Sequence, residues 1–524
     1  MSDKRGDQLL DKKRPFSSDN SFAGLDSYEI KERSIRGGTV TVLSQVISYA
    51  ITVISTVVLA RLLTPEDYGT ISMVLVLISF LGLFRDLGLS SATIQSKNIS
   101  HDQVSKLFWI NISVGCLISL IIIVISPLIA RFYQKPNLKL VSIILSLSYL
   151  IGSLGAQHEA LLNRQMRFKT IAIIQVSGLI AGYTVAILLA LLGGKYWALV
   201  INSLVNVSWG TAGRWLTSGF RPGLPRPKTP VRHLISFGAN IVTFDLFYYF
   251  RDHADQILIG RVWGAHQLGL YTKALSLLLL PFQTLRFPLS RVAFPAMSHI
   301  ADRPERYRSY YIKYSSILAF VSMPLACALF LCSKSLVIIF LGERWLGVAE
   351  LFRYLAPAAF IYSVASLRTT VIMSSGQGKR LSLWGLIDSI ASICAFICGI
   401  RWGAKGVAIA YSIINWLLLH PSLVFAFKNT PIRTRDFYVS IIRPVFSSLV
   451  TSFVYIIAIK PFLQIPDFFI LAITLPVFAL IYLALFMILP GGRGNLIDFW
   501  NYSQVLFKNS HFRKPPSIDP DIYR

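Results

Sequence analysis

Two halves of this chain, each about two hundred residues long, match each other weakly but in register. Ile35, Gly38, Arg61 and Gly69 recur as Ile235, Gly238, Arg261 and Gly269. Further along, Lys169, Gly193, Lys195 and Ala198 correspond to Lys379, Gly403, Lys405 and Ala408. Because the matches fall at equivalent places within equivalent apolar segments, they predict a fold built from two related halves.

The composition places both halves in a membrane. Hydrophobic residues make up 54% of the chain and charged residues only 15%, a balance that a soluble globule of 524 residues does not carry. The formal charge of +26 comes from basic residues spread through short loops rather than gathered into one patch. This distribution argues against nucleic acid as a partner and indicates membrane topology instead.

Apolar runs of about twenty residues predict fourteen membrane-spanning helices. They cover 39–60, 69–84, 107–130, 138–161, 170–192, 196–217, 235–257, 268–294, 313–341, 349–373, 381–400, 405–427, 444–460 and 467–489. Pro281, Pro288 and Pro295 are expected to kink or end the eighth span, since each removes a backbone donor. The fold class is all-α integral membrane, with two parallel six-helix lobes related by a pseudo-twofold axis along the membrane normal and two C-terminal helices.

The basic loops fix the predicted orientation, because most Lys and Arg residues fall on one side when both termini are cytoplasmic. The predicted organisation is a cytoplasmic tail, an N-lobe, a basic cytoplasmic linker, a C-lobe, two extra helices and a second cytoplasmic tail. These cover residues 1–36, 37–220, 221–233, 234–430, 431–490 and 491–524.

The motifs of several enzyme classes are missing from the sequence. GGKYWA at 193–198 has Gly and Lys without the Walker A spacing, and no HExxH, CxxC or GxSxG motif occurs. No loop between the predicted spans exceeds about twenty-two residues, so no extramembrane catalytic domain is expected. The five cysteines all lie in predicted spans, where small apolar packing explains them better than a metal. We therefore expect a transporter that needs no cofactor and no metal, rather than an enzyme.

Ionisable side chains inside a bilayer are costly, so those retained there are candidates for function. The span 235–257 carries most of them. Asp245, Tyr248, Asp252 and Asp255 fall at or near one helical face, and Arg251 lies on its flank. One interpretation is the wall of a hydrophilic cavity that meets sugar hydroxyls. The alternative is an ion pair between Arg251 and Asp255, one turn apart, that only holds the helix end.

An anionic substrate that crosses the hydrocarbon layer needs positive charge along its route. The candidate cations within or beside the predicted spans are Arg85, Lys273, Arg286, Arg291 and Arg368, with Asp86 next to the first of them. Arg85 and Arg286 stand at nearly equivalent places in the two halves. Lys273, Arg291 and Arg368 lie near predicted helix ends, where extension to the interface is the alternative interpretation.

A lone carboxylate, Asp388, lies in the middle of span 381–400. It is a candidate for proton or sodium coupling, with a buried hydrogen bond as the alternative. His158 and Glu159, near the inner end of span 138–161, complete the set of intramembrane ionisable groups.

Four segments carry a resemblance to a known family. They are ARLLTPEDYGTISMV (60–74), FRDLGLSSATIQ (84–95), EALLNRQMRF (159–168) and RDHADQILIGRVWGAHQLGLYTKA (251–274). With them the chain resembles the bacterial oligosaccharide flippases, or polysaccharide transporters. These form the Wzx-like family of the multidrug/oligosaccharidyl-lipid/polysaccharide flippase superfamily, which also contains multidrug extruders and the lipid II flippase.

The resemblance implies a multi-pass protein of the bacterial inner membrane that works by alternating access. Its substrate would be undecaprenyl-pyrophosphate-linked oligosaccharide repeat units, moved from the cytoplasmic to the periplasmic leaflet. The product would serve exopolysaccharide, capsule or O-antigen synthesis, with membrane lipids and a polymerase or export complex as further partners.

Two other functions remain as alternatives. A cation-coupled drug antiporter of the same superfamily predicts an acidic cavity and usually twelve helices, whereas the basic bias and fourteen spans favour an anionic substrate. A polytopic polysaccharide polymerase, ligase or assembly scaffold predicts a long external loop, which the sequence does not offer.

Overall fold

The structure is a computed structural model of the 524-residue chain. It describes the backbone of residues 27–86, 88–96, 99–225, 232–459, 461, 466–494 and 496. Within these ranges the side chains of 27–37, 39, 232–248 and 287–292 are not described. Most of both predicted tails and part of the predicted basic linker therefore lie outside the described residues.

The described residues form sixteen α-helices and no strand. They are α1 (Ser27–Leu62), α2 (Pro65–Gly82), α3 (Leu89–Gln95), α4 (His101–Phe132), α5 (Leu138–Arg164), α6 (Phe168–Leu191), α7 (Trp197–Ser218), α8 (Arg232–His299), α9 (Pro304–Leu331), α10 (Ser333–Phe340), α11 (Leu346–Ala365), α12 (Leu367–Ser374), α13 (Gly378–Gly399), α14 (Gly403–Phe427), α15 (Thr434–Val454) and α16 (Asp467–Ile488). Each predicted span overlaps at least one of these helices.

Ten helical stretches within the described residues are long and apolar enough to cross a membrane. The chain is thus an all-helical, multi-pass membrane protein. Two of the ten, Tyr249–Arg286 and Gly378–Phe427, each join two predicted spans, while α2 and α7 fall outside the set. These ten stretches do not separate all of the fourteen spans that the sequence predicts, so the number fourteen stays a prediction.

The longest helix, α8, does not break where the prolines predict. It runs on through Pro281, Pro288 and Pro295 to His299, and its non-helical residue is Gly264, with φ +78° and ψ −176°. The expectation that the prolines end this helix is wrong, because intramembrane helices can satisfy a freed carbonyl through neighbouring groups. Gly264 divides α8 into a first part, 232–263, and a second part, 265–299.

The break at Gly264 falls two hundred residues after Thr64, which lies between α1 and α2. The side chain of Thr64 forms a reciprocal capping box with Asp67. We call α1 and α2 the first helix pair, and residues 232–276 of α8 the second helix pair. The later repeat also has a structural counterpart, since Gly193 and Gly403 both adopt positive φ values, +81° and +72°.

The chain divides into two compact units. The first contains 1–276, 340–351 and 382–414, and the second contains 277–339, 352–381 and 415–524. In the first unit α4 packs along α5, α6 along α7, α5 along α7, and α1 along α6. A buried cluster that includes Leu107, Phe108 and Phe220 fills its core beside α3.

The two repeat-matched glycines of the first unit meet each other. A Cβ atom added at Gly69 in α2 would overlap the carbonyl oxygen of Ala265, and one at Gly269 in α8 would overlap that of Pro65. The partners are themselves matched, since Pro65 and Ala265 are also two hundred positions apart. This reciprocal contact is what a local twofold between the two segments produces, and it leaves no room for a side chain.

In the second unit, α15 packs against both α9 and α16. Arg308 of α9 forms a bidentate pair with Asp436 of α15, at 2.7 Å from Nε and 2.6 Å from Nη2. Ser315, two turns after Arg308 in α9, and Ser440, one turn after Asp436 in α15, share a 2.8 Å hydrogen bond. Tyr482 of α16 donates to the carbonyl of Phe320 at 3.0 Å, which ties the last helix to α9.

Candidate functional site

Arg251 joins two helices through a buried ion pair. Its Nε lies 2.8 Å from Oδ2 of Asp388, which is 4% exposed on α13, and its Nη1 lies 3.1 Å from Oδ1 of Asp252. Asp252 is itself largely exposed. The pair of Arg251 with Asp255, the alternative that the sequence left open, does not form. Arg251 pairs instead with Asp388, which lies 137 residues later in the chain. Residue spacing within α8 could not predict this partner.

Asp255 is held by a neutral partner instead. Its carboxylate is 2% exposed and accepts a 2.6 Å hydrogen bond from the hydroxyl of Tyr271, which is fully buried. The backbone N–H of Gln256 donates to the other oxygen at 2.7 Å. A buried carboxylate needs such donors to offset its lost hydration. The bond ties the first part of α8 to the second across the Gly264 break.

Lys273 places its ammonium 3.8 Å from the centre of the Tyr68 ring. A cation over an aromatic face is stabilised by the ring quadrupole. Tyr68 packs edge-on against Trp345 at 5.4 Å, and the Trp345 indole donates to the carbonyl of Ala60 at 2.8 Å. Lys273 is half-buried, and its contact with the Tyr68 ring lies within the first unit.

Arg85 and Asp86 lie in the turn after α2. Arg85 is exposed, and its Nη1 is close to Gly152 of α5, 3.1 Å from where a Cβ would stand. The Asp86 carboxylate accepts from the backbone N–H of Ser90 at 3.1 Å and from its hydroxyl at 2.7 Å. Asp86 thus bonds to the first turn of α3, whose N-cap residue is Gly88.

Two predicted cations belong to the second unit. The guanidinium of Arg286 lies 5.8 Å from the centre of the Tyr362 ring. Arg368 donates from Nη1 to the hydroxyl of Ser422 at 3.2 Å. Arg85 belongs to the first unit, so its expected proximity to Arg286 stays a prediction.

Three of the named side chains, Asp245, Tyr248 and Arg291, lie outside the described residues. His158 is buried, and its ring pairs with the hydroxyl of Ser218 at 2.7 Å. Glu159 lies 3.1 Å from Arg214. Among the described residues, no group of three or more His, Cys, Asp or Glu could hold a metal ion.

Sequence reasoning missed a polar groove between helix ends in the first unit. Asn137, Lys195 and Tyr196 line it together with Thr64 and Glu66. Lys195 and Tyr196 belong to GGKYWA, a segment that the sequence predicts to be part of the repeat and not a nucleotide site. The signal available in the sequence was the Lys-Tyr-Trp run at a predicted helix end. In the structure Lys195 adopts a positive φ of +44° there.

Comparison with known proteins identifies a family and several relatives. A family model described as a polysaccharide biosynthesis protein matches residues 58–350. The chain is 25% identical over 399 residues to the lipopolysaccharide biosynthesis protein WzxC of Escherichia coli (strain K12), covering 74% of this chain and 80% of that protein. It is 26% identical to the teichuronic acid biosynthesis protein TuaB of Bacillus subtilis (strain 168), covering 78% and 85%. It is 24% identical to the succinoglycan biosynthesis transport protein ExoT of Rhizobium meliloti (strain 1021), covering 79% and 84%.

Solved structures share the fold. The lipid II flippase MurJ in an inward closed conformation aligns with a TM-score of 0.70 at 15% identity, covering 84% of this chain and 97% of that one. An inward-facing multidrug resistance transporter of the MATE family aligns with a TM-score of 0.56 at 13% identity, covering 73% and 94%. At these identities the likeness concerns the fold alone.

Proposed function

The chain belongs to the polysaccharide biosynthesis protein family, and from this premise we propose that it flips undecaprenyl-pyrophosphate-linked oligosaccharide repeat units. The movement runs from the cytoplasmic to the periplasmic leaflet of a bacterial inner membrane, for exopolysaccharide, capsule or O-antigen synthesis. At the coarser level the chain is a membrane transporter of polysaccharide biosynthesis and not an enzyme.

The proposed architecture has fourteen helices, in two parallel six-helix lobes and a C-terminal pair, with both termini in the cytoplasm. The boundaries proposed for the lobes are 37–220 and 234–430. The sharing of a fold with MurJ supports such an arrangement. The basic loops support the orientation by the positive-inside rule.

One observation carries the substrate assignment, namely the pair of Arg251 with Asp388 in helices that a bilayer encloses. A guanidinium is suited to bidentate binding of phosphate oxygens, and here it is already desolvated on one side. In the proposed mechanism, the pyrophosphate displaces Asp388 from Arg251. Loss of the Arg251 contact removes a compensating charge from a buried carboxylate, which favours the binding of a proton or sodium ion at Asp388.

The remaining predicted residues complete the route in this proposal. Arg85, Lys273, Arg286 and Arg368 supply positive charge, while Asp86, Asp245, Tyr248, Asp252 and Asp255 meet sugar hydroxyls. The polyprenyl tail stays in lipid. A polysaccharide polymerase or export complex receives the product.

The reciprocal contact of Gly69 and Gly269 supports alternating access. With the amino terminus in the cytoplasm, this contact lies near the periplasmic ends of α2 and of the second part of α8. Two helices that meet backbone to backbone can close one end of a path without a plug of side chains. Separation of these segments would open the periplasmic end in the proposed cycle.

The decisive experiment follows the lipid-linked repeat unit in cells that lack the gene. We expect the unit to accumulate where a membrane-impermeant lectin cannot reach it in spheroplasts, and to become accessible when the wild-type gene returns. Arg251→Ile should fail to restore access, whereas Gly38→Ala, at a helix position with free space around it, should restore it. If the deletion strain exposes unpolymerised repeat units on the outer face, the chain is a polymerase or assembly factor instead.

A further inference from the structure

A polar groove opens between helix ends on one side of the first unit. It has a volume of about 530 Å³ and lies among the α1–α2, α4–α5 and α6–α7 connections. Its polar lining includes Thr64, Glu66, Lys135, Asn137, Lys195 and Tyr196. Its size falls in the range of about 300–1,000 Å³ that is common for small-molecule sites.

The acidic groups of the groove are already engaged. Glu66 pairs with Lys135, and the Asp67 carboxylate accepts from the backbone N–H and hydroxyl of Thr64 at 2.9 and 2.7 Å. Within the described part of the chain, the exposed side chains of Asn137 and Lys195 make no hydrogen bond or ion pair. Unused amide and ammonium donors therefore line the groove together with carboxylate oxygens that can still accept.

A second depression of about 380 Å³ continues the groove, since Asn137 and Tyr196 line both. Trp197 adds a second aromatic ring there, with its centre 5.4 Å from that of Tyr196. Both rings are partly exposed. The shared wall thus offers an aromatic face beside an amide and a lysine.

We propose that this groove is a saccharide-binding site, separate from the Arg251–Asp388 pair. Sugar hydroxyls both donate and accept, which matches the mixture of free donors and available acceptors. The apolar face of a pyranose ring fits against Tyr196 and Trp197. The site deepens the proposed flippase function and rests on it, because that orientation places the groove on the periplasmic side, where the glycan arrives.

The mixture of donors and acceptors argues for a saccharide over an anionic lipid headgroup. A phosphate only accepts hydrogen bonds, so it can use Asn137 and Lys195 but not the carboxylates of Glu66 and Asp67. A sugar hydroxyl can accept a hydrogen bond from the amide or ammonium donors and donate one to the carboxylates.

The test measures binding to the full chain in deuterated lipid nanodiscs by saturation-transfer difference NMR. The probes are the methyl glycosides of glucose, N-acetylglucosamine and glucuronic acid. We expect saturation transfer to at least one of them. Tyr196→Ala should weaken this binding about fivefold or more, as for an aromatic contact at the centre of a site, while Tyr196→Phe keeps most of it.

Two lysines, one in the groove and one far from it, provide a test variant and its matched control. Lys195→Gln should weaken binding about threefold, as an exposed charged contact does. Lys169→Gln removes an exposed lysine at the opposite end of α6 and should change nothing. The proposal is overturned if none of the glycosides receives saturation, or if Tyr196→Ala binds as the wild type does. Complete competition by glycerol phosphate would overturn it too, because the groove would then be a lipid headgroup site.

This result is independent of transport. If lectin access shows no flipping while the glycosides still bind at Tyr196, the proposed function fails and the saccharide site stands. If flipping is intact but the Tyr196 and Lys195 variants bind normally, only the saccharide site fails.

Discussion

The first and second helix pairs bend at matched positions but bury different side chains. Both bend at matched positions, one at a threonine with a capping box and the other at a glycine with positive φ. Asp255 and Tyr271 form a buried hydrogen bond in the second pair, whereas Ser55 and Ile71 occupy the matched positions in the first. Arg251, which reaches α13, corresponds to Ile51.

This difference separates two demands on a duplicated sequence. The features that both copies share, such as Gly69 with Gly269, concern how closely backbones approach. The features that differ are ionisable side chains, which are costly in a membrane unless they serve a purpose. The close backbone approach is thus repeated, while the buried ionisable contacts of Arg251 and Asp255 occur in the second pair and not at the matched positions of the first. The substitutions below test this difference.

The largest effect is expected when Arg251 is changed to Ile, its counterpart in the first pair. The change leaves Asp388 buried without its cation, which should lower the free energy of unfolding by about 3 kcal/mol. Asp388→Asn should cost less, because Arg251 keeps Asp252 as a partner. Thermal unfolding in detergent measures both.

Arg214→Gln is the control for the Arg251 change, since the partner of Arg214, Glu159, is itself exposed. It should cost well under about 1 kcal/mol. Equal losses from all three substitutions would mean that the Arg251–Asp388 pair has no special importance.

The shared glycine contact gives the next largest effect. Gly69→Ala places a methyl group against the Ala265 carbonyl and should destabilise by about 2 kcal/mol, as overpacking does. Gly38→Ala has nothing within 4 Å and should be neutral or stabilising by up to about 1 kcal/mol through helix propensity. The two changes in unfolding temperature should therefore differ in sign, and a harmless Gly69→Ala would refute the close approach.

The hydrogen bond found only in the second pair is tested by Tyr271→Phe. Loss of the donor leaves the buried Asp255 with the Gln256 N–H and should cost about 1.5 kcal/mol. Ser55→Ala, at the position matched to Asp255, should cost less than about 0.5 kcal/mol. If both substitutions have the same effect on thermal unfolding, the difference between the pairs has no energetic meaning.

The smallest effect concerns the exposed pair of Glu66 and Lys135 at the start of α2. The hydrogen bond and charge of Lys135 lower the pKa of Glu66 from its usual 4.5. The pair should therefore contribute about 0.5 kcal/mol at neutral pH, a contribution lost as the pH falls below 4.5 through the lowered pKa.

Unfolding curves of Glu66→Gln and the wild type should accordingly differ at pH 7 and converge in acid. Lys135→Gln should behave as Glu66→Gln does. A difference that grows in acid would contradict the sign of the pKa change.

Much of the fold could be predicted from the sequence, because an apolar run must be helical in a membrane and each span has a helix at its position. The side chains that pair with the predicted site residues could not be predicted in this way. Arg251 meets Asp388 across 137 positions, and no periodicity within one helix encodes which neighbour packs against it. The groove was missed for the same reason, since Asn137 and Tyr196 come from different connections.

The three prolines of α8 have a consequence for how this helix meets its surroundings. A helical carbonyl bonds to the N–H four residues later, so Leu277, Thr284 and Arg291 precede prolines that cannot donate. These carbonyls are seven residues apart, or about two turns, and so form a line along one side of the helix that receives no i+4 hydrogen bond from the helix backbone. Hydrocarbon tails cannot hydrate such a line, so that side must face protein or water, and the remaining surface is what lipid can cover.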